Sequence, residues 1–356
     1  MSELGAPALL GLATALPPHR VAQDRAHRFL ADRLADDDAA RLAERVFPRA
    51  SVHTRWSCLP DFTGDGDAQL FGDGTEPTTA ARMEAYRRHL VPLAARACRA
   101  ALADAQVAPE RIDRLVVVSC TGFYAPGPDI DLVETLDLRQ DVARTLVGFM
   151  GCYAAHNGLR VAVDHVRADP SARVLLVCAE LCSLHATADP DPGSVVAQAL
   201  FGDGAAACVI GAAEAGDAPW LVWGDEHVTT RPAEREAMGW SIGDHGFRMH
   251  LSPRVPQLLS EALPEFVAGM DDVAHWCVHP GGRSILTRTE EVLGTAPGAL
   301  SASWDVLRDV GNVSSATILF VLERVLRDQA PGSTGALLGF GPGLTLEARR
   351  YVRGTR

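Results

Sequence analysis

The sequence predicts an α/β fold, and three observations carry that prediction. Short, wholly apolar runs recur along the chain, segments of helical periodicity lie between them, and Gly- or Pro-containing turns separate the two kinds. Runs such as RLVVVS (Arg114 to Ser119) and RVLLVC (Arg173 to Cys178) show no polar alternation, which suits strands buried on both faces of a sheet.

Ala8 to Leu16 reads as a buried strand, followed by a helix rich in Arg and Asp. Asp61 to Thr78 is polar, Gly-rich and aperiodic, hence a long loop. From Thr79 to Ala105 the pattern is helical, with Leu90, Leu93, Ala94 and Ala97 on one face. After the strand at Arg114 to Ser119, Thr145 to Met150 leads into Gly151 and Cys152. Ala155, Leu159, Val163 and Val166 then recur at helical spacing, Arg160, Asp164 and Arg167 face the other way, and Pro170 stops the helix. Arg173 to Cys178 is the next strand, and Phe201 to Gly204 turns into another at Ala205 to Gly211. The second half echoes the first. Trp276 to Val278 is a strand ending at His279-Pro-Gly-Gly282. Gly311-Asn312 opens a helix through Ile318, Leu319, Leu322 and Leu326, stopped by Pro331-Gly332. Gly335 to Gly339 is a further strand. Two similar halves are expected, 1–213 and 214–356, with the boundary near Gly211 to Asp217. The first brings Cys152 to a helix start and the second Asn312, and such strand-end positions converge on shared sites in layered folds.

Composition removes several function classes. The 356 residues carry 33 basic and 45 acidic side chains, a net charge of -12, which argues against a nucleic-acid partner because phosphate binding needs a basic face. The start, MSELGAPALLGLATALPPHRV, lacks a basic segment and is broken at Pro17 and Pro18, unlike a signal peptide. No window approaches the roughly 18 to 20 apolar residues that span a bilayer, so no membrane association is expected. Eight cysteines without short regular spacing read as reduced thiols, placing the chain in the cytoplasm.

Cys152 lies between Gly151 and a predicted helix, so its sulfur meets the positive end of the helix dipole, an arrangement that lowers a thiol pKa and favours the thiolate. A buried structural cysteine is the plainer reading. His279, in VHPGG, ends a strand at a forced turn that exposes a ring to a ligand; taken singly, a hydrogen-bonded core histidine is the favoured reading. Asn312 at a helix start is equally an N-cap. The three together, as nucleophile, imidazole and amide donor, make a catalytic set that none makes singly.

The residues around them carry a resemblance. GLATALPPHRV, MGCYAA at Cys152, VAQALFGDGAAA (Val196 to Ala207), HPGGRSIL at His279, GNVSSATILFVLE at Asn312 and GFGPGLTLE (Gly339 to Glu347) occur in order over nearly the whole chain. With them the sequence resembles the type III polyketide synthases, the chalcone synthase group of the thiolase superfamily. The resemblance implies a thiolase-like fold of two duplicated αβαβα-layered halves, a homodimer, and no metal or redox cofactor. It implies malonyl-coenzyme A and an acyl-coenzyme A starter as substrates. Carried over, Cys152 holds the starter as a thioester, while His279 and Asn312 steady the enolate left by loss of carbon dioxide. Phe201 matches the gate between channel and cavity. Arg45 and Arg49 match positions that bind coenzyme A phosphates, with Arg41 on the same face, and Ser284 matches a coenzyme A contact. Pro342, in GFGPG, belongs to the same substrate-binding set.

CAELCSLH (Cys178 to His185) resembles bacterial alkylpyrone, alkylresorcinol and tetrahydroxynaphthalene synthases. Cys182 and His185 stand where plant members line the cavity with threonine. Cys178, Cys182 and His185 offer soft donors, yet no fourth ligand is spaced to complete a tetrahedral metal site; on a strand Cys178 and Cys182 share a face that His185 does not. Trp240, in MGWSIGDHGFRMHL, replaces a glycine that sets cavity volume, and an indole there diverts a long chain elsewhere. Met249 replaces an aromatic and Ala125 a methionine that reaches the partner subunit's cavity. Cys120 and Thr121 line the pocket near Cys152. Other readings are a ketoacyl synthase III-type condensing enzyme, which shares the Cys-His-Asn set, and a non-catalytic acyl-thioester-binding dimer.

Overall fold

The computed structural model describes residues 5–64, 67–72, 74–213 and 218–356. The last four residues of the expected boundary, 214–217, lie outside the described residues, as do 65, 66 and 73 of the expected loop.

Nine strands form one sheet. They are β1 (Pro7–Ala15), β4 (Arg114–Ser119), β5 (Ala143–Gly148), β6 (Arg173–Leu181), β7 (Asp203–Ala212), β8 (Leu221–Thr230), β11 (His275–Val278), β12 (Thr334–Gly341) and β13 (Thr345–Arg353), in the order β11-β12-β13-β8-β1-β7-β6-β4-β5. Two small pairs complete the strands among the described residues: β2 (His19–Ala22) with β3 (Thr54–Ser57), and the hairpin of β9 (Met238–Gly243) with β10 (Gly246–Leu251). The pairing repeats. β4 runs parallel to β6, β6 antiparallel to β7 and β7 antiparallel to β1; likewise β11 runs parallel to β12, β12 antiparallel to β13 and β13 antiparallel to β8. Among the described residues only β5, parallel to β4, lacks a counterpart in the second set. The two sets join where Ala8 pairs with Val222 and Leu9 with Leu221.

Helices supply the other layers. α5 (Ala154–Ala168) and α10 (Thr317–Asp328) share one apolar cluster with strands of both sets: Leu159, Val163, Ile318 and Leu322 meet Val116, Leu176, Cys277 and Leu337. A second cluster takes α3 (Thr79–Ala105), α1 (Gln23–Ala31), α2 (Asp37–Val46), α6 (Pro192–Leu200) and α7 (Val255–Phe266). The result is an αβαβα layering with α5 and α10 in the middle. α3 forms where its periodicity predicts: Thr78 caps it by accepting from the Ala81 amide, its Leu90, Leu93, Ala94 and Ala97 face is buried, and Gln106 closes it in the left-handed region at φ 54°. Burying leucines such as these stabilises the fold by about 1.5–3 kcal/mol each.

Four local expectations are corrected. The single Arg/Asp-rich helix is two: α1 ends at Ala31, and Asp36 starts α2 as its N-cap by accepting from the Ala39 amide at 2.8 Å. The loop after Asp61 opens with a 3-10 turn, Pro60–Phe62. β6 ends at Leu181, so Cys182 and His185 sit on a 3-10 turn, and Cys178 faces the central apolar cluster away from them. Asn312 does not start a helix: a 3-10 turn, Ser314–Ala316, separates it from α10.

Candidate active site

The predicted residues gather at the carboxyl ends of the parallel strands. Cys152 follows β5 and precedes α5, His279 follows β11, and Asn312 precedes α10. Backbone contacts lock these segments together. Gly202 N donates to Asn312 O, and Asn312 N to Leu200 O, both at 2.9 Å, so the bend carrying Phe201 and the segment carrying Asn312 are tied by an isolated bridge. Gly311 makes this possible: its φ is 80°, and a Cβ there would lie 2.8 Å from Leu200 O. Gly151 does the same for Cys152, with φ 86° and Pro342 Cδ only 2.6 Å from where a Cβ would stand. Pro342 thus closes over the cysteine turn.

Arg55, buried, staples the gate from below. Its terminal nitrogens donate to the carbonyls of Gln198 at 2.6 Å, Ala199 at 2.8 Å and Phe201 at 3.0 Å, satisfying the carbonyl end of α6.

Two cavities meet at Cys152, Phe201, Met238 and Met249, which line both. The outer one, about 570 Å³, adds His279, Asn312, Arg45, Arg49 and Ser284. The inner one, about 80 Å³, adds Cys120, Thr121, Cys182, His185, Trp240 and Pro342. All fourteen predicted site residues therefore line one or both of two adjoining spaces. Arg41 does not: it pairs with Asp38 at 2.6 Å, one turn back on α2. Ala125 is exposed and lines neither space.

The donor groups are oriented. Asn312 Oδ1 accepts from Ser314 N at 2.9 Å and Thr317 Oγ1 at 3.2 Å, which leaves the amide NH2 as its donor, turned toward Cys152. His279 is buried, and neither ring nitrogen has a hydrogen-bond partner among the described residues. Burial lowers its pKa to about 4, so the imidazole is neutral at pH 7 and keeps one N–H to donate.

The thiol corrects the sequence expectation. Burial pushes Cys152 up to about 12, and the Glu180 charge adds to this; hydrogen bonding by Ser314 and Asn312 acts the other way and is outweighed. The helix start is visible in sequence, the enclosure is not. Cys152 is thus a protonated thiol, and its sulfur can become a nucleophile only as that proton passes to a base.

Three groups escaped the sequence reading. Ser314 Oγ stands 3.8 Å from Cys152 Sγ and 3.2 Å from Cys120 Sγ; the signal was a serine pair in an otherwise apolar helix entrance. Buried Glu180 accepts from Thr121 Oγ1 at 2.7 Å and Cys120 N at 3.0 Å, fixing that cavity wall, and burial raises its pKa. Arg283, beside Ser284 in HPGGRS, adds a third cation to the outer channel. His185 lines the inner cavity but offers no free nitrogen. Nδ1 accepts from Phe247 N at 3.0 Å, which fixes the tautomer, and Nε2 donates to Thr121 O at 2.6 Å. Burial pushes the Cys120 and Cys182 thiols well above their ordinary value. Among the described residues no group of three or more His, Cys, Asp or Glu side chains is placed to hold a metal.

A thiol, a neutral imidazole and an oriented amide around one channel, within an αβαβα sandwich, define an acyltransferase acting on thioesters. Residues 1–214 match the N-terminal domain of chalcone and stilbene synthases and residues 227–353 match their C-terminal domain. Alpha-pyrone synthesis polyketide synthase-like Pks18 of Mycobacterium tuberculosis is 33% identical over 96% of this chain and 90% of its own. The 1,3,6,8-tetrahydroxynaphthalene synthase of Streptomyces peucetius subsp. caesius is 36% identical over 94% of this chain and 90% of its own. The crystal structure of PKS-I from the brown alga Ectocarpus siliculosus superposes with a TM-score of 0.92 at 33% identity, over 98% of each chain. The chain belongs to the chalcone and stilbene synthase family and is a type III polyketide synthase with a thiolase-like fold. Its substrates are coenzyme A thioesters, and its reaction is iterative condensation of malonyl-coenzyme A with an acyl starter to pyrone or phenolic products.

Proposed function

We propose that Cys152 is the residue that carries the growing chain, and that His279 and Asn312 activate the malonyl extender. Cys152 sulfur attacks the starter thioester carbonyl, its proton leaves by way of His279, and coenzyme A departs as the thiol. Malonyl-coenzyme A then enters the outer cavity with its thioester oxygen between the His279 N–H and the Asn312 NH2. Loss of carbon dioxide leaves an enolate, whose oxyanion these two neutral donors stabilise. The enolate carbon attacks the acyl-cysteine carbonyl, the new C–C bond forms, the C–S bond breaks, and the sulfur is free for the next transfer. One observation carries this assignment: Cys152 and Phe201 belong to both cavities, while His279 and Asn312 face the same outer channel.

Arg45, Arg49 and Arg283 bind the coenzyme A phosphates at the channel mouth, Ser284 contacts the same group, and Phe201 gates passage inward. In this chain of net charge -12 such a local cluster of cations is what a polyanionic substrate needs. The inner cavity, with Cys120, Thr121, Cys182, His185, Trp240, Met249 and Pro342, holds the chain during extension. The protein acts as two halves, 1–213 with the nucleophile and 214–356 with the two donors.

A homodimer is the working form. β5 is the sheet edge, and Phe123, Leu146, Phe149 and Met150 beside it are 37–48% exposed, an apolar patch that a second copy would cover. The compartment is the cytoplasm, in keeping with eight free cysteines; no described helix is long and apolar enough to cross a membrane.

The test offers malonyl-coenzyme A and a malonyl carrier protein separately. Consumption of the first with release of carbon dioxide and a polyketide product is expected; exclusive use of the carrier protein would instead mark a ketoacyl synthase III-type enzyme.

A further inference from the structure

One wall of the inner cavity carries a short chain of hydroxyl groups that the condensation does not use. Ser57, at the end of β3, and Ser183, on the 3-10 turn after β6, line that cavity together with Cys152. Their oxygens lie 2.9 Å apart. Ser183 Oγ donates to Asp203 Oδ2 at 2.6 Å, so the hydrogen between the two serines comes from Ser57. Ser57 Oγ in turn accepts from Leu59 N at 3.0 Å. Both O–H bonds therefore point along the chain toward the carboxylate. Ser183, half-buried, keeps a second lone pair for a group inside the cavity.

Asp203, at the start of β7, is wholly buried. Its Oδ1 accepts from Ser183 N at 2.7 Å and its Oδ2 from Cys58 N at 2.8 Å. These two amides already tie the turn to the residue after β3, so the serine hydroxyls are not needed to join the segments. Burial raises the carboxyl to about 6; hydrogen bonding by Ser183 and Cys58 acts the other way and is outweighed. Such a carboxylate is ionised at pH 7 yet basic enough to take and return a proton. The set is separate from Glu180, whose partners are Thr121, Cys120 and Ser315.

We propose that Ser183, backed by Ser57 and Asp203, takes the proton from an enol of the extended chain as that chain closes to a pyrone. The inference rests on the reading of Cys152 as the acyl carrier and of the inner cavity as the place of extension. An enol O–H is a hydrogen-bond donor and docks on the remaining Ser183 lone pair; a C–H does not, so the relay favours closure through oxygen. As the enol proton moves to Ser183 Oγ, the Ser183 proton passes to Asp203. The enol oxygen attacks the thioester carbonyl, a C–O bond forms and the C–S bond breaks. The departing thiolate takes up a proton and Asp203 releases one, so none is gained or lost. Ser183 is the group that touches substrate. Asp203 and Ser57 are positioning residues that act through it, Ser57 by keeping the Ser183 hydrogen on the carboxylate.

The experiment compares the wild type with Ser183→Ala, Ser183→Thr and Asp203→Asn. Acetyl-, hexanoyl- and benzoyl-coenzyme A are each offered with malonyl-coenzyme A, which is also offered alone, and the most productive mixture is used throughout. Acylation of Cys152 is read by intact mass and malonyl turnover by carbon dioxide. Products are read by mass as pyrones against open-chain keto acids, which differ by a water. The wild type should release mainly pyrone. Ser183→Ala should raise the ratio of open-chain product to pyrone by about a hundredfold, the low end of what a general base contributes. Ser183→Thr returns a hydroxyl and should reverse the shift, which loss of packing alone would not predict. Asp203→Asn should move the ratio the same way, and Ser183→Ala decides the matter where that variant fails to fold. An unchanged ratio in folded Ser183→Ala protein, a shift that Ser183→Thr does not reverse, or a wild-type product closed only through carbon would overturn the proposal. Acylation and carbon dioxide release with an unmoved ratio remove the relay alone; a wild type whose Cys152 takes no acyl group removes the carrier reading and the relay with it.

Discussion

Cys152→Ala should lower product formation by at least about ten-thousandfold, the scale of losing a covalent nucleophile. The change removes one sulfur from a buried turn whose backbone is held elsewhere, by Gly151 against Pro342 and by the start of α5. Its melting point should therefore stay within about 4 °C of wild type, the shift of roughly 1 kcal/mol in a domain of this size. Because the imidazole and the amide remain, the variant should still release carbon dioxide from malonyl-coenzyme A. Assay of both products on one sample separates the steps. Polyketide formation at an undiminished rate would refute acyl transfer to this sulfur, and loss of decarboxylation along with condensation would mean that the cysteine itself takes part in enolate formation.

Asn312→Asp should have the opposite pattern. One carboxylate oxygen can still accept from Ser314 N and Thr317 Oγ1, as Oδ1 does at 2.9 and 3.2 Å, so the local turn is expected to survive. The other replaces an NH2 donor by a negative acceptor facing the developing oxyanion. Removing one such donor costs about a hundred- to a thousandfold in rate, and the added charge deepens the loss. Carbon dioxide release should fall by at least that much, while acylation of Cys152 by a starter thioester should persist. Equal loss of both would mean that Asn312 serves the structure of the site rather than the enolate.

Both predictions depend on residues that the sequence brings to notice, and the reasons they could be read are specific. RLVVVS and the α3 segment match the observed β4 and Thr79–Ala105 because burial on both faces, and an apolar stripe at helical spacing, each write a clear period into the chain. The hairpin β9–β10 went unread. It is half exposed, and its apolar side chains Trp240, Phe247 and Met249 face a cavity instead of a regular core, so alternation is weak. Asn312 could not be placed to the residue because the 3-10 turn after it is fixed by Ser314 in a left-handed conformation, φ 50°, which nothing in GNVSSAT announces. Arg41 looked equivalent to Arg45 on helical spacing, yet Asp38 takes it in an i,i+3 pair. The sign of the Cys152 shift depends on enclosure by distant segments, including Pro342 and Phe201, and enclosure is tertiary information. The strand pairing shared by β4, β6, β7, β1 and β11, β12, β13, β8 likewise emerges only once the sheet is assembled.

Catalysis by this site requires a thiol that becomes an acyl carrier between two donors and an enclosed chamber. Peptide mapping of the protein after brief exposure to an acyl-coenzyme A starter tests this most directly. A single adduct, of the mass of the acyl group and confined to the peptide bearing Cys152, is expected, and it should disappear when malonyl-coenzyme A is added. An adduct on Cys120 or Cys182 in its place, or one on Cys152 that malonyl-coenzyme A cannot discharge, would contradict it.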